Sequence, residues 1–415
     1  MKILSVTAQK ADSTGSGIYL TELVNSFNRA GHTQAVLCGV ASGETPHFPQ
    51  EVAVFPVAYE SETLPFPICG MSDEMPYPST RYKDLTDTMS AQLFAAFSAQ
   101  IKNAVETFQP DVIYCHHLYF LAGLIRDLYP QIPLYGQCHG SDLRQLRKNP
   151  WKREWILSQI PKLDGIFALH EDQKQQISDL YQIPASQITV TGTGYNSNVF
   201  YKKELSCKDI SRRETDATLP NSSPAKCRLI FAGKLSEKKG IFSLLRALHL
   251  LENPQQFELV LAGGYGNEEE YNAICDLAKS SPFLVTLPGR LNQKQLAAEM
   301  NASDVFVLPS FYEGLPLVLA EAMACGLRII CTDLPGIRPW MDRSIPGNGI
   351  LFVEPPRMQN ADEPVAEHLP AFEKRLAEAI IEVQKKPLAD QTLVRKISWD
   401  ALGEKLCSLW AKNIS

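Results

Sequence analysis

Ser310-Phe311-Tyr312-Glu313-Gly314-Leu315-Pro316-Leu317-Val318-Leu319-Ala320-Glu321-Ala322-Met323-Ala324-Cys325-Gly326 follows directly on Asp304-Val305-Phe306-Val307-Leu308-Pro309. The second of these runs is apolar and β-branched and reads as a buried strand. Gly314 permits a tight turn, and Pro316 suits the first position of a helix. Ala, Leu, Glu and Met carry that helix, and Gly326 is expected to end it. A strand therefore runs through a short loop into a helix start, with Glu313 in the loop and Glu321 on the helix.

The spacing of the two carboxylates has a chemical meaning. At about 1.5 Å per residue, Glu321 lies roughly 7–8 Å down the helix from Pro316, and with Glu313 it brackets about 10 Å. Between them the amides of Leu315, Leu317 and Val318 point out of the first turn, where a phosphate is favoured. Hexose hydroxyls, two phosphates and ribose hydroxyls, the layout of a nucleoside-diphosphate sugar, fit that order. Glu313 would accept from the hexose and Glu321 from the ribose. Read alone, either Glu is more often a solvated charge; the conjunction with the strand and Gly-Leu-Pro favours the site.

Glu313 through Gly326 resembles the E-x7-E signature of the retaining glycosyltransferases of family 4. Pro309-Ser310 before it and Glu321-Ala322-Met323-Ala324-Cys325-Gly326 at its end agree as well. The resemblance implies an α/β GT-B fold, two Rossmann-like domains facing each other across a deep cleft, with a C-terminal helix crossing back to the first.

Composition agrees with two domains. The chain has 415 residues, 21% of them charged, with a formal net charge of −6, and a pI near 5.8. Such a balance argues against nucleic acid as a partner, which needs a concentrated basic surface. No window approaches 18 consecutive apolar residues, so no transmembrane helix is expected. Met1-Lys2-Ile3-Leu4-Ser5-Val6 is too short for a signal peptide and reads as a first strand. Ten cysteines are scattered without a C-x-x-C pair, which favours a reducing cytoplasm over disulfides or metal.

In the first half, expected as 1–205, the opening strand leads to Ala11-Asp12-Ser13-Thr14-Gly15-Ser16-Gly17 and a helix ending at Gly31. Gly15 and Gly17 would let backbone amides approach a phosphate, although any strand-helix turn can need glycines. The resemblance places a glycine-rich loop here, facing the donor phosphates. Residues 60–80, with Met75-Pro76-Tyr77-Pro78-Ser79, read as an irregular loop, either a connector or an acceptor contact. Two buried strands end at His116-His117 and at His139-Gly140-Ser141-Asp142, where open α/β sheets bind ligands. The resemblance gives His139 the donor sugar; His116, His117 and Asp142 are expected on the acceptor side. Arg144, Arg147, Lys148, Lys152 and Arg153 with Trp151 and Trp155 read as a solvated helix face or, alternatively, as a surface for an anionic acceptor or membrane headgroups.

Residues 204–225 are polar, lack an apolar period and are expected as the linker. The second domain, expected as 226–398, restarts the alternation. Arg228-Leu229-Ile230-Phe231-Ala232 precedes Gly233-Lys234-Leu235-Ser236-Glu237-Lys238-Lys239-Gly240. Two cations five positions apart in such a loop could clamp a diphosphate. The family pattern has Gly-Arg here; Lys234 replaces the planar arginine by a point charge, and Lys239 takes the lysine position. By the same resemblance the backbone at Arg290 and Leu291 holds the nucleobase. Thr332 to Trp340 departs from the family, which carries an acidic residue near position 339. The stretch 399–415 is expected as the helix that returns to the first domain.

The expected activity is retaining, metal-independent transfer of a hexose-type sugar from a UDP- or GDP-sugar to a sugar, lipid or small-molecule acceptor. The expected setting is the cytoplasm, with attachment to the cytoplasmic face of a membrane as a variant. Catalytic roles fall to Glu313, His139, Lys234 and Lys239. Gly233, Gly314, Leu315, Pro316 and Leu317 join the donor contacts. No Asp-x-Asp pair offers a magnesium site, and no cofactor beyond the co-substrate is expected. The rival readings are a GT-B epimerase, a glycosidase and a non-catalytic nucleotide-sugar binding protein.

Overall fold

Two sheets organise the chain. The structure, a computed structural model, describes residues 1–73, 75–203, 226–360 and 363–414. The expected linker, 204–225, lies outside the described residues.

The first sheet holds β1 (Lys2–Val6), β2 (Thr33–Val40), β3 (Ala53–Ala58), β4 (Val112–His116), β5 (Leu134–Gln137), β6 (Gly165–Ala168) and β7 (Ile188–Val190). The order across it is β3-β2-β1-β4-β5-β6-β7, and every adjacent pair is parallel. Ile3 stands opposite Gln34 on one side and Val112 on the other. The second sheet holds β8 (Cys227–Ala232), β9 (Phe257–Ala262), β10 (Leu284–Gly289), β11 (Val305–Leu308), β12 (Arg328–Thr332) and β13 (Leu351–Val353). Its order is β10-β9-β8-β11-β12-β13, again parallel throughout.

Parallel strands need crossovers, so helices cover the faces and the central strands become continuous apolar runs. Leu229, Ile230 and Phe231, like Val305, Phe306 and Val307, are buried. In each sheet the chain winds outward from its first strand and then returns to that strand's other side. The order thus reverses between β1 and β4, and between β8 and β11. Loops leaving the carboxyl ends diverge at such a reversal, which is where doubly wound sheets bind ligands.

The chain divides into one compact unit of Met1–Gly194 with the last helix, and a second of Tyr195–Ser398. The last helix, Trp399–Ile414, packs on Gly15–Arg29 of the first unit. Ser26 donates to the carbonyl of Trp399 at 3.1 Å, and Arg29 pairs with Asp400 at 2.5 Å.

Two details depart from expectation. Residues 195–203 belong with the second unit, because Asn301 clasps them: it accepts from the Lys203 amide at 2.9 Å and donates to the Tyr201 carbonyl at 3.1 Å. Within 60–80, Cys69–Gly70 pairs in parallel with Thr80–Arg81.

Candidate functional site

In the second unit the two loops at the sheet reversal are fastened to each other. Phe311 donates its amide to the Lys238 carbonyl at 3.0 Å. Gly240 starts the helix Ile241–His249 at φ +70°, and a Cβ there would stand 2.1 Å from the Pro309 carbonyl oxygen. Only glycine allows both the positive φ and that approach. The contact brings Lys239 to Glu313, Nζ to Oε1 at 2.7 Å, and Ser310 donates to the same oxygen at 2.8 Å. Lys239 and Glu313 are both half-buried, with side chains 27% and 14% exposed, so they remain open to a ligand.

The helix after Glu313 spans Leu317–Ala324, with Pro316 one position earlier than expected, as its N-terminal cap residue. No side chain caps it, and the Leu317 and Val318 amides have no intrahelical acceptor. Leu319 is already bonded to the Pro316 carbonyl at 3.2 Å. Gly314 is exposed, while Leu315 and Pro316 are buried and hold the turn. Glu321 is half-buried one turn before Cys325; burial first, then the Glu321 charge, push the Cys325 thiol up to about 12.

Around this cluster the other loops at the carboxyl edge carry cations. Lys234 follows Gly233, is exposed, and reaches over Gly266, where a Cβ would meet its Nζ at 2.5 Å. Arg290, also exposed, lies over Gly264, with half-buried Leu291 next to it. In the segment that departs from the family, Arg338 grips Asp333 at 2.6 and 2.9 Å and stacks 4.2 Å over the Phe352 ring. The Asp333 carboxylate holds its guanidinium above the ordinary arginine value. Ser310, noted in sequence only as a flank of the signature, and this Arg338–Asp333 pair were given no role there, since Ser and an Asp–Arg spacing of five are common in loops.

In the first unit, His116, His117 and His139 converge at the carboxyl ends of β4 and β5. His116 Nδ1 lies 3.1 Å from His139 Nε2, their rings stacked 5.3 Å apart. His117 tilts against His139 at 5.0 Å, and Tyr19 meets it edge-on at 5.1 Å. Burial lowers all three imidazoles; for His116 and His139 neighbouring histidines lower them further, well below 6.5. They are neutral at pH 7. His116 and His117 each keep a buried Nε2 without a hydrogen bond. Tyr19 and Gln137, given no site role from sequence, lock this cluster from below: Gln137 Oε1 accepts from Tyr114 at 2.9 Å and Tyr19 at 3.3 Å.

Two expected roles change. Gly17 gives its amide to the Thr14 hydroxyl at 3.1 Å, and a Cβ on it would stand 2.9 Å from the Ala11 carbonyl carbon. It serves close packing and has no amide left for phosphate; Gly15 is exposed and keeps that prospect. Asp142 is fully buried, and its carboxylate accepts from the Leu118, His139 and Leu143 amides, so it shapes the His139 turn and faces no acceptor. Trp151 packs on Tyr82, Phe94 and Phe120, and Trp155 on Phe94, leaving both half-buried, while Arg144, Arg147, Lys148, Lys152 and Arg153 are exposed. No helix among the described residues is long and apolar enough to cross a membrane. No three His, Cys, Asp or Glu side chains among them converge as a metal site.

Comparison with known proteins places this architecture. Residues 13–199 match the family described as Glycosyltransferase Family 4, and residues 216–382 match Glycosyl transferases group 1. Alpha-maltose-1-phosphate synthase of Mycobacterium tuberculosis (strain ATCC 25618 / H37Rv) is 24% identical over 353 residues, covering 78% of this chain and 83% of that protein. Sucrose-phosphate synthase of Thermosynechococcus elongatus superposes with a TM-score of 0.65 at 17% identity, over 99% of this chain and 98% of that one. Anabaena Alr3699/HepE, solved in complex with UDP-glucose, superposes with a TM-score of 0.65 at 16% identity, over 99% of this chain and all of that one. These solved structures share the GT-B fold.

Proposed function

The chain belongs to the Family 4, group 1 glycosyltransferases, and on that premise we propose a retaining, metal-independent hexosyl transfer. The donor is a nucleoside-diphosphate sugar, in the first instance UDP-glucose, the ligand of the HepE complex. The observation that carries the reading is the Lys239–Glu313–Ser310 cluster beside an uncapped helix start at the second sheet's reversal.

Bond cleavage puts negative charge on the leaving diphosphate. Groups fixed in advance where that charge develops lower the barrier. Lys239, Lys234 and the Leu317 and Val318 amides are those groups. Glu313, oriented by Ser310 and Lys239, accepts from the hexose hydroxyls, and Glu321 from the ribose. The backbone at Arg290 and Leu291 takes the base. His139, neutral and with Nε2 engaged by His116, offers Nδ1 to the donor sugar. The acceptor oxygen attacks on the face the diphosphate leaves, and the departing phosphate takes the acceptor's proton. No protein nucleophile is assigned. A cytoplasmic setting goes with this reading, supported by the free thiols of the cysteines among the described residues.

Thermal shift across nucleoside-diphosphate sugars identifies the donor, because a ligand at 100 times its dissociation constant adds about 2.7 kcal/mol. Glu313→Gln is then expected to keep nucleotide binding and lose transfer, unaffected by EDTA in the wild type. Unchanged transfer by this variant would overturn the assignment.

A further inference from the structure

The first unit contains a pocket that none of these roles uses. It opens at the carboxyl ends of β1 and β2, encloses about 410 Å³, and is lined by Lys10, Asp12, Ser13, Glu44, Thr45 and His47 over a floor of Gly39 and Val40. The volume is that of a small-ligand site, and its position at strand carboxyl ends is where this fold class binds ligands.

Its charges select among ligands. Lys10 comes from the loop after β1 and Glu44 from the loop after β2, and the two are ion-paired in the pocket lining. The Lys10 ammonium also sits 5.1 Å over the Tyr77 ring. That cation is therefore already neutralised and held. Ser13 donates to Asp12 Oδ1 at 2.8 Å, which leaves Oδ2 as an acceptor. Thr45 and His47 add a hydroxyl and an imidazole at the rim. Tyr77, from the loop that reads from sequence as connector or acceptor contact, lies under the Lys10 ammonium, and burial first, then the Asp12 charge, push its hydroxyl pKa up. A phosphate here would face two carboxylates and one committed lysine. Hydroxyl groups, which donate to carboxylates and accept from N–H and O–H, match the lining.

We propose that this pocket binds a neutral polyhydroxylated ligand, the non-phosphorylated sugar unit of the acceptor, and discriminates against sugar phosphates. The inference rests on the glycosyltransferase reading for the ligand's role, and on the lining alone for its chemistry.

Saturation-transfer NMR on the full chain separates the two. The probes are maltose and the methyl glycosides of glucose, galactose, mannose and N-acetylglucosamine, with glucose 6-phosphate as the charged counterpart. At least one neutral glycoside is expected to bind and glucose 6-phosphate is not. Thr45→Trp, at an exposed loop position, fills the pocket and should abolish that signal. Asp12→Asn removes one charged acceptor and should weaken binding about ten- to a hundred-fold; its exposed site keeps the test valid should the tryptophan variant not fold. Failure of every neutral glycoside to bind, preference for the phosphate, or full binding by both variants would overturn the proposal. Loss of the glycosyltransferase reading looks different: wild type would then release no nucleotide from any donor, whatever the pocket binds. In active enzyme, Thr45→Trp should leave donor hydrolysis by water at the wild-type rate while acceptor-dependent transfer disappears.

Discussion

At the scale of single residues, the proposed donor site depends on Lys239 and on the glycine that delivers it. Lys239→Ala removes a cation from the leaving group and the hydrogen bond that orients Glu313. Steady-state kinetics should show kcat/KM falling about 10²–10³-fold, the cost of losing one fixed charge-stabilising group. Thermal stability should barely move, because a half-exposed ion pair contributes little. Gly240→Ala reverses that pattern. Its Cβ collides with the Pro309 carbonyl at positive φ, which should cost about 3 kcal/mol in denaturant unfolding. The histidines give a pH dependence. Their folded values lie below the unfolded 6.5, so the unfolded chain binds more protons in acid. Stability is then fully present above pH 6.5 and drains away as pH falls, by up to about 1.4 kcal/mol per pH unit per histidine. Melting temperature measured from pH 8 to pH 5 should hold level and then drop, with a shallower drop in His116→Gln. Glu313 and Lys239, which the structure pairs at 2.7 Å, each sit in a local strand–loop–helix pattern that the sequence displays. The roles of Ser310, Tyr19 and Gln137 were not legible there, and the inward turn of Asp142 was hidden as well. Partners decide those roles, and partners come from distant parts of the chain.

At the scale of elements, the helix Leu317–Ala324 shows what local signals can and cannot specify. Its end is chemically explicit. The Gly326 amide bonds to the Met323 carbonyl at 2.9 Å and the Leu327 amide to Ala322 at 3.1 Å, with Gly326 at φ +82°. This pair of bonds is the glycine-terminated helix stop expected from sequence. Gly326→Ala should cost about 1–2 kcal/mol for the left-handed backbone, read by chemical denaturation. The crowding there is minor, since the Cβ would meet only the flexible Lys202 side chain, at 2.9 Å. The start of the helix is one residue later than Pro316 suggested, because proline's fixed φ suits the residue before the helix as well as the first within it. Glycine-rich composition misled more seriously at the first helix. Thr14 claims the Gly17 amide, and nothing in Gly-Ser-Gly distinguishes a phosphate loop from a capped, closely packed turn. The basic stretch near Trp151 leaves two readings open for a related reason: charge and aromaticity say what a surface could bind, but not which side chains face it.

For the whole molecule, the alternation of apolar strands with helical segments was enough to indicate two parallel sheets, since that pattern admits few other packings. Strand order was not legible, and neither was the allotment of 195–203, which depends on the Asn301 side chain. The return of the last helix to the first unit carries the largest consequence for stability. Trp410 is wholly buried, with its ring 5.4 Å from Phe27, 5.3 Å from Tyr114 and 5.8 Å from Tyr135. Phe27 and Trp410, 383 positions apart in sequence (410 − 27), thus close one core. Each unit has its own apolar interior, so calorimetry should resolve a transition for each. Trp410→Ala leaves a cavity among those rings and should cost the first unit about 3–5 kcal/mol. That corresponds to a fall of about 10 °C in its transition, at roughly 2–4 °C per kcal/mol for a unit of this size. The transition raised by the nucleoside-diphosphate sugar, which reports the second unit, should stay where it is. A common fall of both would show that the last helix stabilises the molecule through more than the core it completes.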